Sequence, residues 1–519
     1  MHSAFLIDEV LRRIFDFCAE HSRSTLIAAA RSCQAWKNPA LDYIWVRLTS
    51  IAPLLDLIPN IVVEDGIYTL LRPALPSQMH TFHSYARRVK HISHRQCIRV
   101  NPMVLSLMIA RNNLSTENAG ILQDLRTVQM SSANCSDVQT SLGFSQKLSH
   151  LDLDLGFKTR GTSLDDTVCS YLEQVSTVSP ELWHLSIRGR ASPRLNNIVA
   201  RLSNVHTLCL RMGDSLLPDT LKAAMQFPYL SELEMHASHF DVNELSEAFE
   251  RSSNSATFSS LRKLRIRAHT SIMELVLQQM QSTTLESIHL EADDATPASA
   301  EWETIFTSVC EKSRNTLHEL KVEHHSEDTD IPSDNSGTTN TSQTSYTTDT
   351  DPTTTKNAMS FKVLRTLNKL TCLRRLSFDM TLPPTVCDQD IESLVYWWPE
   401  LEHLDLGIPT PEDEDESPSP QPPSNITLAS LSLFSQKLPM LRSLALPIDI
   451  EGTPHGPYLP SQSGLERLTL GSHATPNPAA LAAYLHLIFP KLHTIDGPHD
   501  QETIYIDTQD ALVRLHTPS

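Results

Sequence analysis

A short phrase of alternating leucines recurs along the chain and limits the folds that the sequence can adopt. Its pattern is L-x-x-L-x-L, with Ile, Val, Met or Phe accepted in place of Leu, and WPELEHLDL contains a typical copy. Successive full copies start mostly 23 to 34 residues apart. The full copies start at Leu125, Leu148, Leu182, Val205, Leu230, Leu261, Leu285, Leu317, Leu373, Leu401, Leu441 and Leu465, and partial copies start at Val89 and Leu492.

The phrase predicts a strand that alternates with helices. Its apolar residues recur every second position, which is typical of a short strand buried on one face. Between copies lie helical patterns, and DVNELSEAFERS places Leu245, Ala248 and Phe249 on one helix face. A Pro that often precedes the phrase cannot continue the helix before it. One such strand–helix unit cannot bury its own apolar face, so neighbouring units must stack.

This pattern resembles leucine-rich repeats over roughly residues 89–497. The family usually has Asn or Cys three residues after the last Leu of the phrase. Other residues stand there in this chain, namely Gly156, Gly213, Ser238, His269, Asp293 and Thr381. The resemblance implies an α/β repeat fold, an irregular solenoid with parallel short strands on its concave side.

Composition narrows the class of protein further. The chain has 519 residues, of which 40% are hydrophobic, and its formal net charge is −19. This charge disfavours binding to nucleic acid and to anionic membranes. The first residues lack the basic start of a secretory leader, and no run of apolar residues is long enough to span a membrane. The nine Cys include no C-x-x-C pair, so we expect an intracellular protein of the cytoplasm, the nucleus or both.

In the first fifty residues the apolar positions follow a helical spacing rather than strand alternation, and this pattern predicts three short helices. Ser22 or Ser24 can cap the second helix, and Pro39 is placed to open the third. With Trp36 and Trp45 these helices would form a very small core. Such a unit gains stability by burying apolar surface against a partner or against the domain that follows.

Leu6, Glu9, Val10, Leu11, Ile14 and Phe15 in the first helix are followed by Leu26, Cys33 and Trp36 and then by Trp45. In this order of residues the stretch resembles an F-box, and with the repeats the chain is similar to F-box proteins common in fungi. Ile7, Ser32 and Gln34 stand where the family usually has Pro, Val and Arg. The resemblance implies docking of a Skp-family adaptor, which would link the chain to a cullin-RING ubiquitin ligase. The residues that it implies for this contact are Leu6, Ile7, Glu9, Val10, Ile14, Phe15, Leu26, Cys33, Trp36 and Trp45.

The resemblance implies a substrate-recognition subunit with no catalytic residues and no cofactor of its own. A repeat scaffold that binds proteins without a ligase is the alternative. The expected organisation is an F-box at 1–50, a linker and cap at 51–124, repeats at 125–497 and a tail at 498–519. Two inserts, 324–360 and 407–427, are rich in polar residues or in Pro and acids, and we expect them to be disordered.

The polar positions of the strands are candidates for binding a protein substrate. Lys263, Arg265 and Arg267 form a basic strand in an acidic protein, which could meet an acidic or phosphorylated segment. An ordinary solvated strand would show the same pattern. Glu232, Glu234 and His289 complete the set of candidates.

An enzymatic interpretation rests on one four-residue motif. Gly213–Leu216 reads GDSL, as in a family of esterases, and Asp496 and His499 could accompany Ser215. The phrase just before this motif is in register with the repeats, which favours a repeat over a catalytic domain. Three His pairs have H-x-x-H spacing, namely His80/His83, His91/His94 and His236/His239, but zinc needs further ligands and we predict no metal site.

Overall fold

The structure, a computed structural model, describes residues 7–72, 74–94, 98–110, 120–131, 137–157, 162–250, 257–281, 284–295, 297–324, 359–408, 425–448, 450, 463–471, 477–497 and 502–516. The chain folds as two compact units, Met1–His236 and Ala237–Ser519. Both contain short parallel strands that alternate with helices or turns, so the predicted α/β repeat architecture is confirmed. No helix within the described ranges is both long and apolar enough to cross a membrane.

Three helices open the first unit: α1 (Asp8–His21), α2 (Arg23–Ser32) and α3 (Gln34–Trp45). The side chain of Ser22 caps α2 by accepting a hydrogen bond from the Thr25 backbone N–H at 3.4 Å. The expectation that Pro39 opens the third helix was wrong. The Lys37 N–H already bonds to the Cys33 carbonyl at 3.1 Å, so α3 has formed before the proline, which lies inside it.

The first unit continues as a parallel sheet with helices between its strands. Neighbouring strands pair in the order β1, β4, β6, β7, β8, β9 and β10. The strands are β1 (Arg47–Leu48), β4 (His91–His94), β6 (Thr127–Ser131), β7 (His150–Gly156), β8 (His184–Gly189), β9 (Thr207–Arg211) and β10 (Glu232–His236). The helices are α4 (Ala52–Leu55), α5 (His80–Ala86), α6 (Pro102–Ala110), α7 (Asp137–Leu142), α8 (Thr162–Val178), α9 (Pro193–Val199) and α10 (Pro218–Met225). This sheet begins at Arg47, well before the expected start of the repeats at residue 125.

A second, small sheet lies within the segment that we expected to be a linker and cap. It contains β2 (Ile61–Glu64), β3 (Ile67–Leu70) and β5 (Arg99–Val100). Strands β2 and β3 form an antiparallel hairpin, and β5 pairs with β3 in parallel. The hairpin turn is Asp65–Gly66, whose φ angles are 51° and 76°. Positive φ at both positions is the geometry that Asp-Gly favours in two-residue hairpins.

The second unit repeats the pattern, with neighbouring strands paired in parallel in chain order. Its strands are β11 (Lys263–Ala268), β12 (Ser287–Ala292), β13 (Glu319–His324), β14 (Arg375–Met380), β15 (His403–Asp405), β16 (Ser443–Leu446), β17 (Arg467–Leu470) and β18 (Thr494–Asp496). Its helices are α11 (Val242–Glu250), α12 (Thr270–Gln279), α13 (Ser299–Ser313), α14 (Phe361–Leu364), α15 (Asp388–Leu394), α16 (Ala429–Lys437), α17 (Pro478–Ile488) and α18 (Glu502–His516).

Helix α18 occupies most of the expected tail, 498–519, and is part of the folded unit. The Gln509 side chain accepts a hydrogen bond from the Ile495 backbone N–H at 2.8 Å, and Tyr505 is buried. The last repeat is therefore followed by a helix that covers its strand. Most of the two expected inserts, residues 325–358 and 409–424, lies outside the described residues.

The phrase forms the core because its leucines face one side of each sheet. On β7 and β8, Leu151 pairs in register with Leu185, and Leu153 pairs with Ile187. These four side chains are buried, while the residues between them are half-buried or exposed. Each sheet thus has an apolar face against the helices and a polar face, which the x positions of the phrase form.

Candidate interaction surfaces

Helix α1 carries apolar side chains on two adjacent faces. Leu11 and Phe15 point inward and form a core with Leu26 and Ala40. The other side, which we call the α1 outer face, is exposed to solvent. It consists of Ile7, Val10, Ile14 and Phe17, whose exposed fractions are 48%, 37%, 37% and 65%. A helix that is apolar on two faces can bury one face inside its own unit and offer the other to a partner.

Aromatic rings hold the three helices together. The Trp36 ring meets Phe15 edge-on with 6.2 Å between ring centroids, and Tyr43 meets the same ring at 6.5 Å. The Tyr43 hydroxyl also donates a hydrogen bond to the Arg12 carbonyl at 2.9 Å. Cys33 is half-buried at the start of α3. The structure therefore places Phe15, Trp36 and Leu26 among the residues that position the helices.

The same helices are attached to the first strands of the sheet. The Trp45 ring lies 4.7 Å from the Tyr85 ring, measured between centroids. The Arg88 guanidinium forms an ion pair with Asp42, and its Nη2 donates to the Asn38 side chain at 3.0 Å. Trp45 thus makes a contact within the unit. Because of these contacts, the three helices are held in place against the start of the sheet.

The predicted adaptor residues fall into two groups. Ile7, Glu9, Val10 and Ile14 are exposed, whereas Phe15 and Leu26 are buried and Cys33, Trp36 and Trp45 are half-buried. Leu6 lies outside the described residues. The prediction left out Phe17 on α1 and Ile27 on α2, which is 44% exposed. The spacing of residues 7, 10, 14 and 17 places them on one helix face and was the signal for Phe17.

Ion pairs occupy the predicted basic strand in the second unit. The Arg267 Nε donates to an Asp293 carboxylate oxygen at 2.9 Å, and its Nη1 lies 3.1 Å from Glu291. The Arg265 Nη2 lies 3.4 Å from a Glu291 oxygen, and Lys263 is exposed at the start of β11. A negatively charged ligand at this strand would compete with the carboxylates that already pair with Arg265 and Arg267.

Next to that strand, His289, Glu291 and Glu323 have ligand atoms within 4.8 Å of one another. His289 Nε2 lies 2.9 Å from a Glu323 oxygen, and the Lys321 ammonium contacts the same carboxylate. Burial would raise the pKa of Glu323, but hydrogen bonds from Lys321 and His289 outweigh burial and lower it. Since these carboxylates are already paired with cations of the chain, the grouping is better explained as a charge network than as a metal centre.

In the first unit, Glu232 and Glu234 lie on the polar face of β10. Glu234 accepts two parallel hydrogen bonds from Arg211, Nε at 2.8 Å and Nη2 at 2.9 Å. This bidentate pair fixes both side chains across β9 and β10. Of the two predicted acids, Glu234 is therefore committed to a contact within the chain.

A cleft of about 370 Å³ opens on the polar face of the first sheet, with Gln129, Asp152 and Ser186 among its lining residues. The Gln129 amide donates to Asp152 at 3.1 Å, and His184 Nε2 lies 3.2 Å from the other oxygen of that carboxylate. Burial would raise the pKa of Asp152, but these hydrogen bonds lower it. Asp152 is thus an ionised carboxylate with a fixed orientation on the wall of the cleft.

The GDSL motif forms a 3₁₀ turn, Gly213–Ser215, between two repeats. The Ser215 hydroxyl donates to the Met212 carbonyl at 2.6 Å and accepts from the Ala191 N–H at 2.8 Å. Both bonds are to backbone groups, so this serine has a structural task in tying the turn to the preceding repeat. Asp496 is the last residue of β18, and His499 lies outside the described residues.

No protein-family model matches the chain, and no curated protein matches it. The geometry and chemistry of the residues described above are therefore the basis for assigning a function.

Proposed function

We propose that the chain is the substrate-recognition subunit of a Skp–cullin–F-box type ubiquitin ligase. In this proposal the three N-terminal helices are an F-box that docks a Skp-family adaptor. The repeats bind a protein substrate and hold its lysines near the ubiquitin-charged enzyme. Such a subunit acts by raising an effective concentration and performs no bond chemistry itself.

The α1 outer face is the observation that carries the proposal. The repeats bury their phrase leucines almost completely, yet the α1 outer face leaves four large apolar side chains in water within about three helical turns. Full burial of an Ile, Val or Phe side chain contributes about 1.5–3 kcal/mol, so half-exposed side chains retain roughly half of that for a partner. Together they can contribute several kcal/mol to docking.

The test is co-purification of the full chain with a purified Skp-family adaptor. In the variant, Val10→Asp and Ile14→Asp place two carboxylates in the centre of the α1 outer face. Burying an unpaired carboxylate is strongly unfavourable, so we expect affinity to fall by about 100-fold or more. Both side chains are exposed in the free chain, so its thermal unfolding should change little.

A matched control makes the same kind of change on another helix. Ile506 and Val513 on α18 are 52% and 53% exposed, and replacing both with Asp should leave adaptor capture intact. Removing residues 1–50 is a poorer test, because it also removes β1 and exposes Tyr85. Failure of the wild-type chain to capture the adaptor would reject the ligase proposal and leave a repeat scaffold without a ligase role.

A further inference from the structure

Three basic side chains gather where the first strands of the first unit begin. We call Arg47, Lys90 and Arg126 the cationic patch. Arg47 on β1 pairs in register with His91 on β4, and the Lys90 carbonyl accepts a hydrogen bond from the Arg126 N–H at 2.7 Å. Since neighbouring strands lie about 4.8 Å apart, the three residues come from adjacent backbone positions. All three are exposed.

Within the described part of the chain, none of these three side chains forms an ion pair or a hydrogen bond. The half-buried His91 lies among these three residues, and its pKa responds to their positive charges. Burial lowers the pKa of His91, and the positive charges of Arg47, Lys90 and Arg126 lower it further. The patch is therefore a local positive region on a chain whose net charge is −19.

Cations stand at the same position of other repeats as well. Lys90 and Arg126 each stand one residue before a strand, and in the second unit Arg262, Arg374 and Arg442 stand in that place. Arg262 lies 2.5 Å from a Glu286 oxygen, and Arg374 lies 3.1 Å from Glu400. Because these two cations are neutralised by carboxylates, Arg262 and Arg374 give a matched reference for the patch.

An aromatic surface continues from the patch along the same row of the sheet. From Arg126 the row passes through Ser149 to Trp183 and then to His206, as shown by backbone hydrogen bonds of 2.9, 3.1 and 2.7 Å. Trp183 is 41% exposed, and the exposed Tyr229 ring stacks on His206 at 5.7 Å between centroids. Two strand spacings separate Arg126 from Trp183, about 10 Å, which an extended peptide covers in about three residues.

We infer that the cationic patch binds a phosphorylated serine or threonine in an extended protein segment, and that Trp183 receives an apolar side chain about three residues away. A phosphate carries nearly two negative charges and three acceptor oxygens, which suits three cations without partners better than one carboxylate does. A long nucleic acid strand is disfavoured because the rest of the acidic surface would repel it. The inference rests on the proposed function, since it names the class of substrate that the repeats select.

The test is fluorescence anisotropy with the full chain and a labelled nine-residue probe. The probe has phosphoserine in a Gly/Ser background and Phe three residues after it. Lys90→Gln with Arg126→Gln should weaken binding about tenfold or more, since two charge-assisted contacts are lost. The control variant, Arg262→Gln with Arg374→Gln, should bind the probe as the wild type does.

Equal affinity of the patch variant and the wild type would overturn the inference, as would equal binding of the unphosphorylated probe. Tighter binding of a ten-residue oligothymidine than of the probe would assign the patch to nucleic acid instead. Trp183→Ala should weaken the Phe probe about three- to tenfold and leave a Gly probe unchanged. The titration contains no adaptor, so its failure and a failure of adaptor capture are separate results.

Discussion

Helix α1 and the repeat strands use the same kind of apolar residue in opposite ways. In the strands, residues such as Leu185 and Ile187 are fully buried, and polar residues alternate with them. In α1, Leu11 and Phe15 are buried, but Val10 and Ile14 beside them remain in water. A strand in these sheets has one apolar face and stacking fills it. A helix with a wider apolar arc has surface left over after its own core is complete.

This contrast indicates where an interface is to be sought in a repeat protein. Within the repeats, an apolar residue that follows the phrase is explained by packing and carries no information about partners. An apolar residue that the packing leaves exposed needs another explanation. The α1 outer face is such a case.

The largest effect is expected from a change in the repeat core. Phe306 on α13 is fully buried against Trp302 and Phe378, with ring centroids 5.6 and 6.2 Å away. Phe306→Ala should lower the free energy of unfolding by about 3–5 kcal/mol because it leaves a cavity. Ile14→Ala should change it by less than about 1 kcal/mol. Urea unfolding followed by circular dichroism measures both, and similar losses would mean that the α1 outer face is part of the core.

A buried histidine sharpens the contrast, because it is a polar side chain on the inner side of a strand. His94 on β4 is 3% exposed, and burial lowers its pKa to about 4. The unfolded chain has a pKa near 6.5 and binds the proton first, so stability is lost as pH falls from 6.5 towards 4. Because the pKa of His94 is about 4 in the folded chain and near 6.5 in the unfolded chain, the free energy of unfolding falls by about 3 kcal/mol over this range.

His94→Leu should remove this part of the acid sensitivity, which thermal unfolding between pH 7 and pH 4.5 measures. The exposed His206 serves as the control, and His206→Leu should keep the wild-type profile. If His94→Leu unfolds with the same pH dependence as the wild type, other groups cause the acid sensitivity.

A pair of glycines tests how tightly neighbouring repeats approach. Gly189 has a φ of +100°, and a Cβ there would lie 2.5 Å from backbone atoms of Gly156 on the adjacent strand. Gly66 has a φ of +76° and open space around it. Gly189→Ala should therefore lower stability by about 2–3 kcal/mol, against about 1 kcal/mol for Gly66→Ala. Equal losses in denaturant unfolding would show that backbone strain alone matters at both sites.

The smallest effect concerns the polar face of the first sheet. Arg211 and Glu234 form a bidentate pair, but 41% of the Arg211 side chain is in water. A double-mutant cycle with Arg211→Met and Glu234→Gln should give a coupling of about 0.5–1 kcal/mol. A larger coupling that persists in high salt would mean that this face contributes to stability as the apolar face does.

The sequence predicted the repeats well because the phrase acts locally. The copy that starts at Leu148 becomes β7, the copy at Leu182 becomes β8, and the pattern DVNELSEAFERS becomes α11. Strand alternation and helix spacing both depend on residues close in the chain, so strands and helices can be recognised from the sequence before the fold is known. The Asp65–Gly66 hairpin had an equally local signal and was overlooked.

The interaction surfaces could be predicted only in part, because they depend on partners far apart in the chain. The basic strand was visible in the sequence, but its ion pair with Asp293 connects residues 26 positions apart. The apolar stripe of α1 was visible too, but which residues face inward depends on α2 and α3. Prolines favour the first turn of a helix, so the sequence predicts a helix start at Pro39. The helix in fact starts earlier, because the Cys33 carbonyl accepts a hydrogen bond from the Lys37 N–H.

The register between β13 and β14 has a consequence for how this chain can vary. Glu319 pairs with Arg375 and His324 pairs with Met380, without a shift, although more than 50 residues separate the partners. A strand with one buried face specifies its register strongly, because a slip of one residue would turn Leu376 and Phe378 to the polar face. The alignment of the two strands is therefore encoded in their own side chains and not in their separation along the chain. An insertion of one residue within β14 would expose apolar side chains and bury their polar neighbours.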